Sequence, residues 1–259
     1  MQHDDIRLPS LDIVIPVLNE EKALPLAVKN LHKFCQSRLW GFSWDIVIAD
    51  NGSTDRTVEL AQELQANFHR VRYFSLDQRG RGRALKKAWT ESPADLRAYM
   101  DVDLSTDLMA LPAALRASTQ AEIVIGSRLL KNSIVEKRTL KREITSRGYS
   151  FLFRAMFGVS FKDAQCGFKV ISRRAAEDLL PLVKDNGWFF DTELLILAEK
   201  NNYKVTELPV RWTDDPDTRV KILKTAWEDI RGLCRLRFRD LARSKQILKG
   251  SKKVMYTYE

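Results

Sequence analysis

Cysteine and histidine are scarce, three residues of each in a chain of 259. Cys35, Cys166 and Cys234 lie far apart, and an odd count with no secretory leader in view argues for a reducing cytosol over a disulfide framework. The three read as buried packing residues. His3, His32 and His69 have no spacing that joins them to cysteine or carboxylate ligands, so neither a zinc centre nor a histidine-based triad is expected. Long apolar runs are missing too. No window approaches the roughly 18 apolar residues of a membrane-crossing helix, so the chain is expected not to cross a bilayer by itself. What the sequence has in quantity is hydrophobic residues, 44%, enough for the core of one large domain or a domain with a tail, and positive charge, formally +9, which points to an anionic partner.

Residues 1–10 are polar and predicted to be a loosely held, flexible N-terminus. Leu11-Asp12-Ile13-Val14-Ile15-Pro16 has the β-branched run of a buried strand, stopped by a proline that cannot donate to a central ladder. Asn19 and Glu20 follow, and then residues 21–37 carry Ala23, Leu24, Ala27, Val28, Leu31 and Phe34 at helical spacing. A second strand, residues 45–50, ends in Asp50-Asn51-Gly52-Ser53-Thr54-Asp55, where Gly52 permits a tight turn and Ser53 or Thr54 can cap the next helix. Residues 71–74 form a third short strand, Gly80-Arg81-Gly82-Arg83 opens another helix, and a fourth strand is expected to carry Asp101 and Asp103. Strands alternating with helices predict an α/β fold: a mostly parallel sheet with helices on both faces and ligands bound beyond the carboxyl ends of the strands.

Asp101-Val102-Asp103 is the chemical focus. With residues 97–102 extended, both carboxylates would point the same way, and two adjacent carboxylates repel unless a cation joins them. Mg2+ or Mn2+ takes oxygen ligands and is commonly shared between one or two carboxylates and substrate phosphates. The plain alternative is a strand end running into a solvated turn. Asn19 and Glu20, Asp50 and Asn51, and the two aspartates all sit beyond strand ends, and that convergence favours the metal.

The second half is less regular. Residues 121–128 read as a strand and turn, 163–170 lead into a strand, 188–195 start a helix with acids near its positive end, and 205–212 read as an edge strand because Pro209 lies inside it. Between Arg128 and Arg147 there are seven basic residues against two acidic ones, followed by Tyr149, Phe151, Leu152, Phe153, Met156 and Phe157. That order suits a segment at a membrane surface, or equally a helix packing its aromatic face on the sheet. From Arg219 to Lys253 there are twelve basic and three acidic residues around a stripe of Leu223, Trp227, Ile230, Leu233 and Cys234, again either lipid-facing or core.

Taken together, Pro16-Val17-Leu18-Asn19-Glu20, Asp50 to Asp55, Gly80-Arg81-Gly82, Asp101-Val102-Asp103, Gly126-Ser127-Arg128, Asp163-Ala164-Gln165-Cys166-Gly167-Phe168-Lys169 and Asp191-Thr192-Glu193 resemble family 2 inverting glycosyltransferases of the GT-A (Rossmann-like) fold, most of all the dolichyl-phosphate mannose and glucose synthases. The resemblance covers residues 11–220 as a GT-A domain and leaves 221–259 as a basic amphipathic helical tail. It implies that Pro16, Leu18 and Glu20 contact the donor nucleoside and that Asp50, beside Asn51, holds its base. Asp101 and Asp103 would meet the metal, Mg2+ or Mn2+, and the sugar diphosphate, with Gln165 a further metal ligand and Arg219 on the donor pyrophosphate. Arg128 and Arg142 would receive the lipid phosphate. Asn51 departs from a common second aspartate, and Arg83 from a small residue.

The implied reaction moves a hexose from GDP-mannose or UDP-glucose to a polyprenyl or dolichyl phosphate at the cytoplasmic face of a membrane. The chain lacks the C-terminal membrane helices of some relatives, so an anionic membrane surface or a membrane-anchoring protein partner would bring it there. A phosphate acceptor, with its second pKa at about 6, needs no base at neutral pH, whereas a hydroxyl acceptor would ask Asp191 or Glu193 to act as one unless those acids only cap their helix. A family 2 enzyme with a saccharide acceptor, a nucleotidyltransferase and a nonenzymatic basic module for membrane or nucleic acid are the other readings. No common nucleic-acid motif is present, so no nucleic acid is expected.

Overall fold

The computed structural model describes residues 7–214 and 222–255. The chain runs β1 (Ser10–Val17), α1 (Leu24–Arg38), β2 (Ser43–Asp50), α2 (Thr57–Asn67), β3 (Val71–Ser75), α3 (Arg81–Glu91), β4 (Leu96–Met100), α4 (Ala110–Ala117) and β5 (Ile123–Ser127). It continues through β6 (Ile134–Glu136), α5 (Leu140–Phe157), β7 (Phe168–Ser172), α6 (Arg173–Leu179), α7 (Phe190–Lys200), β8 (Val205–Pro209), β9 (Arg211–Thr213), α8 (Ile222–Arg235) and α9 (Leu241–Met255), the last two joined by a π-helical segment, Leu236–Asp240.

Seven strands form one sheet in the order β3-β2-β1-β4-β7-β5-β8. Its pairings are parallel except where β7 runs against β4 and β5. Helices cover both faces, because both faces are apolar: Leu11, Ile13, Ile15 and Val17 of β1 enter one core, while Val14 enters the other. Asp12 shares the Val14 face, 4% exposed, and is satisfied there by Arg72 at 2.9 Å and the Ser92 hydroxyl at 2.6 Å.

Several sequence expectations shift. Ser10 is already in β1, where its N–H and hydroxyl both donate to Asp95. Pro16 does not stop that strand, which pairs with β2 through Val17↔Asp50. The Val17 carbonyl accepts from Asn51 on the β2 side, so Pro16 faces β4, where pairing has ended at Val14↔Tyr99 and no donor is needed. The run 205–212 divides at Pro209: β8 is the sheet edge, and β9 leaves it to pair with β6. On α5, Phe153 and Phe157 are buried while Leu140, Ile144 and Phe151 face solvent, so the helix has both a packing face and an open apolar one. On α8, the expected stripe is not the packing face. Leu233 is buried, but Trp227 and Ile230 are exposed; the helix docks through Asp229, Gly232, Leu233 and then Leu236. A Cβ on Gly232 would lie 2.4 Å from the Phe189 ring, so the helix needs glycine there to approach.

Because β7 runs opposite, its start lies beside the ends of β4 and β5. The residues following β1, β2, β4 and β5 and those preceding β7 therefore share one edge of the sheet.

Candidate active site

The loops after β1 and β2 are stitched together along this edge. Asn19, at φ 56, accepts from Thr54 N–H at 2.7 Å, and its own N–H donates to Ser53 Oγ at 2.8 Å. Glu20 N–H donates to Thr57 Oγ1 at 2.8 Å. Pro16, Leu18 and Glu20 are thus presented, partly exposed, on a braced surface. Asp50 departs from expectation. Its side chain is fully buried, and its carboxylate accepts from the N–H groups of Gly52 and Ser53 and from the Ser75 hydroxyl, tying β2 to β3 instead of facing a base. Asn51 Oδ1 accepts from Gly80 N–H at the start of α3, a bond an aspartate would also make, so the substitution removes a charge without losing the tether.

Strand β4 ends at Met100, so Asp101 and Asp103 lie in a turn, closed by Leu104 N–H to Asp101 O, and strand alternation does not align them. They are unequal. Asp101 is half-buried; its N–H donates to Gly167 O and its Oδ1 accepts from Arg81 at 3.0 Å. Its Oδ2 fills the space where a Gly167 Cβ would stand, 1.7 Å away. Asp103 is exposed and accepts from Ser105 N–H and Oγ at 2.9 and 2.6 Å. Gln165, two residues before Gly167, donates through Nε2 to Asp229 of α8 at 2.8 Å, which turns its Oε1 away from that acid. Burial pushes the Asp229 carboxyl up to about 7 against the opposing pull of this bond.

These residues fit a hard divalent ion. Two carboxylates and an amide oxygen are the right donors, and the Gly167 cradle holds one carboxylate in place. Among the described residues no group of three or more His, Cys, Asp or Glu could hold a metal; Mg2+ is commonly bound through one or two carboxylates together with substrate phosphates.

Beneath Asp101 lies a buried charge cluster. Arg81 of α3 bonds Asp191 of α7 at 2.6 Å as well as Asp101, and Lys169 of β7, 0% exposed, lies 3.0 Å from Asp191. Tyr99 donates its hydroxyl to Asp191 at 2.9 Å and accepts from Arg81 and Lys169 at 3.0 and 3.1 Å. Two cations face two carboxylates, so the cluster is neutral and each charge has a partner. Burial alone would raise the Asp191 pKa, but Lys169 and Arg81 outweigh it and hold the carboxyl below its ordinary value. Glu193 is buried too: its Oε2 accepts from Lys184 and Asp185 N–H, while its Oε1 lies 2.9 Å from Arg235 of α8 without a hydrogen bond. Asp191 thus has both oxygens hydrogen-bonded, and Glu193 has one bonded and one held by charge alone. Sequence reasoning missed the roles of Tyr99 and Lys169. The signal was there: a lysine inside the apolar run Phe168-Lys169-Val170-Ile171 must find a buried counter-charge, and Lys169 pairs in register with Tyr99.

Arg128, expected to receive phosphate, already has its fork on Asp163, with Nε and Nη2 donating at 2.8 and 2.9 Å while its plane lies over Trp212. Two parallel charge-assisted bonds leave that fork no second partner. Arg142, in the first turn of α5, lies 3.5 Å from Asp214. Arg219 lies outside the described residues.

Residues 12–180 match the model of glycosyl transferase family 2. The chain belongs to that family. It is 34% identical to the glycosyltransferase AglD of Haloferax volcanii, over 83% of this chain but only 35% of that protein, so it spans about a third of that relative. It is 30% identical to a dolichyl-phosphate beta-glucosyltransferase of Dictyostelium discoideum, over 89% of this chain and 75% of that one. In three dimensions it resembles glucosyl-3-phosphoglycerate synthase from Mycobacterium tuberculosis, crystallised with Mn2+ and UDP-glucose, with a TM-score of 0.64 at 15% identity over 88% of this chain and 79% of that one. The architecture is therefore the expected GT-A fold, with β7 reversed within it.

Proposed function

We propose that this chain transfers a hexose, with inversion, from a nucleotide sugar to a polyprenyl phosphate. One observation carries the choice of acceptor: Asp191 and Glu193, the acids a hydroxyl acceptor would enlist as base, are both buried and bound to cations. A phosphate monoester, whose second pKa is about 6, attacks as a dianion and requires no proton removal. The names of the Haloferax and Dictyostelium relatives agree with a sugar transfer, the second to dolichyl phosphate.

In this reading Pro16, Leu18 and Glu20 line the nucleoside side, while Asp50 and Asn51 shape that loop from behind. Asp103, Asp101 and Gln165 would hold Mg2+ or Mn2+, which supplies positive charge to a departing nucleoside diphosphate. Arg81 aims Asp101 through their 3.0 Å bond. Arg219 adds charge on the diphosphate. Arg142 faces the acceptor phosphate, and Arg128 braces that corner through Asp163. The open face of α5, with Leu140, Ile144 and Phe151 flanked by Lys141, Arg147 and Arg154, rests on an anionic membrane surface at its cytoplasmic side, apolar side chains inserted and basic ones at the headgroups.

Labelled GDP-mannose and UDP-glucose, each offered with a short-chain polyprenyl phosphate and Mg2+ or Mn2+, test this directly. A lipid-linked labelled product with one of the donors is expected. Transfer to soluble sugars with none to any lipid phosphate would overturn it.

A further inference from the structure

We propose that Asp229 of α8 is a positioning residue for the metal corner: it holds the amide of Gln165 so that the oxygen, and not the nitrogen, is offered to the divalent ion. The two residues are 64 positions apart, and Gln165 Nε2 donates to Asp229 Oδ2 at 2.8 Å. That bond spends the donor end of the amide on the acid. Oε1, the end with lone pairs for a hard cation, is turned the other way.

Gln165 needs such a hold. It is partly exposed between buried neighbours, Asp163 and Ala164 before it and Cys166 and Gly167 after it, so its backbone is fixed while its long side chain would otherwise keep its rotamer freedom. Asp229 is the reverse, 4% exposed and carried on a helix that is anchored without help from Gln165. Gly232 seats that helix against Phe189, Leu233 and Leu236 are buried, and Arg235 faces Glu193. The carboxyl itself is a poor device for stability. Its Oδ1 is buried with no hydrogen-bond partner among the described residues, which is costly for a polar atom. A buried acid with one oxygen unmet and the other on a proposed metal ligand fits the pattern in which a ligand is oriented by a hydrogen bond from behind. Asp229 also lies beyond residues 12–180, the stretch that matches the family model, so α8 adds to the site a part which that stretch does not contain.

This rests on the reading of Gln165 as a metal ligand, and Mn2+ binding by the full chain tests the two apart. The electron paramagnetic resonance signal of free Mn2+, titrated with protein in the presence of UDP or GDP, gives an apparent Kd without turnover. D229L is expected to weaken Mn2+ about 10- to 100-fold, while its thermal midpoint stays within a few degrees of wild type because the acid contributes little to the fold. D229N, whose amide oxygen accepts the same bond, is expected to stay within about threefold of wild type. Q165A should weaken Mn2+ at least as much as D229L, and D229L should add nothing in the Q165A background, since the acid acts through that amide. Wild-type Mn2+ affinity in D229L beside a weakened Q165A overturns the positioning role. So does D229N as weak as D229L, or a D229L deficit that adds to that of Q165A. Wild-type affinity in Q165A removes Gln165 from the metal site and this inference with it, and no Mn2+ retained by the wild type with either nucleotide sinks both. If D229L does not fold, D229A is judged by the same comparisons.

Discussion

Replacing Gly167 by alanine puts a methyl carbon 1.7 Å from Oδ2 and 2.4 Å from Cγ of Asp101. The φ of Gly167 is not positive, so the backbone tolerates alanine and the substitution tests the contact alone. A carbon and an oxygen need roughly 3.3 Å, so the carboxylate must retreat by about 1.5 Å or swing about its first side-chain bond. Either movement breaks its 3.0 Å bond from Arg81. That charge-assisted bond is worth about 1.5–3 kcal/mol, toward the low end here because Asp101 is a third exposed. Displacing a reacting-site ligand by about 1 Å costs on the order of 100-fold in rate. G167A is therefore expected to fold with a thermal midpoint a few degrees lower, to lose about 100-fold in kcat, and to need more divalent ion for half-maximal activity. Steady-state kinetics across a Mn2+ titration, beside differential scanning calorimetry, read all three. Gly41→Ala is the control, since a Cβ there meets nothing within 4 Å. Wild-type kcat and metal dependence in G167A would refute the placement of Asp101 in the metal corner.

Asp191→Asn would leave Arg81 and Lys169 buried around a single remaining carboxylate; a loss of about 3–5 kcal/mol in chemical unfolding is expected. A stable D191N with kcat abolished would instead point to a base and to a hydroxyl acceptor. Asp103→Ala should abolish metal-dependent turnover while costing at most about 1 kcal/mol for its bonds to Ser105; retained activity would remove it from the metal site. Asp95 is lowered from 3.8 to about 2, chiefly by the N–H and hydroxyl of Ser10. A depressed carboxylate stabilises the fold above its unfolded pKa and loses that contribution as pH falls through the folded one. The full shift is about 2.4 kcal/mol, but at 42% exposure of the Asp95 side chain solvent screening reduces it to about 1 kcal/mol. Wild type should exceed D95N by that amount at pH 7, with the gap closing between pH 4 and 2; a constant gap would discount the ionic origin.

Local pattern was enough for the layers. The β-branched runs of β1 and β2 must bury both faces, and helices at 3.6-residue spacing supply the cover, so an α/β sheet with its chemistry at the strand ends follows from residues read in order. The order and spacing of the motifs also carried the family resemblance. What periodicity cannot specify is which charge meets which. Arg81 and Asp191 are 110 positions apart, and Tyr99 reaches Lys169 only because β7 turns antiparallel beside β4. Arg128 read as a phosphate ligand because a guanidinium fork suits phosphate; it equally suits Asp163, and proximity across the fold chose the acid. Asp50 likewise turned inward because Ser75 and two backbone N–H groups reached it. The sequence by itself determined the architecture and the edge on which the site is built, since those depend on where apolar side chains recur along the chain. Only the tertiary structure decided which acids are bound to cations and which to hydroxyls and backbone N–H groups, since hydrogen bonds of about 3 Å between distant residues exist only once the sheet has brought them together.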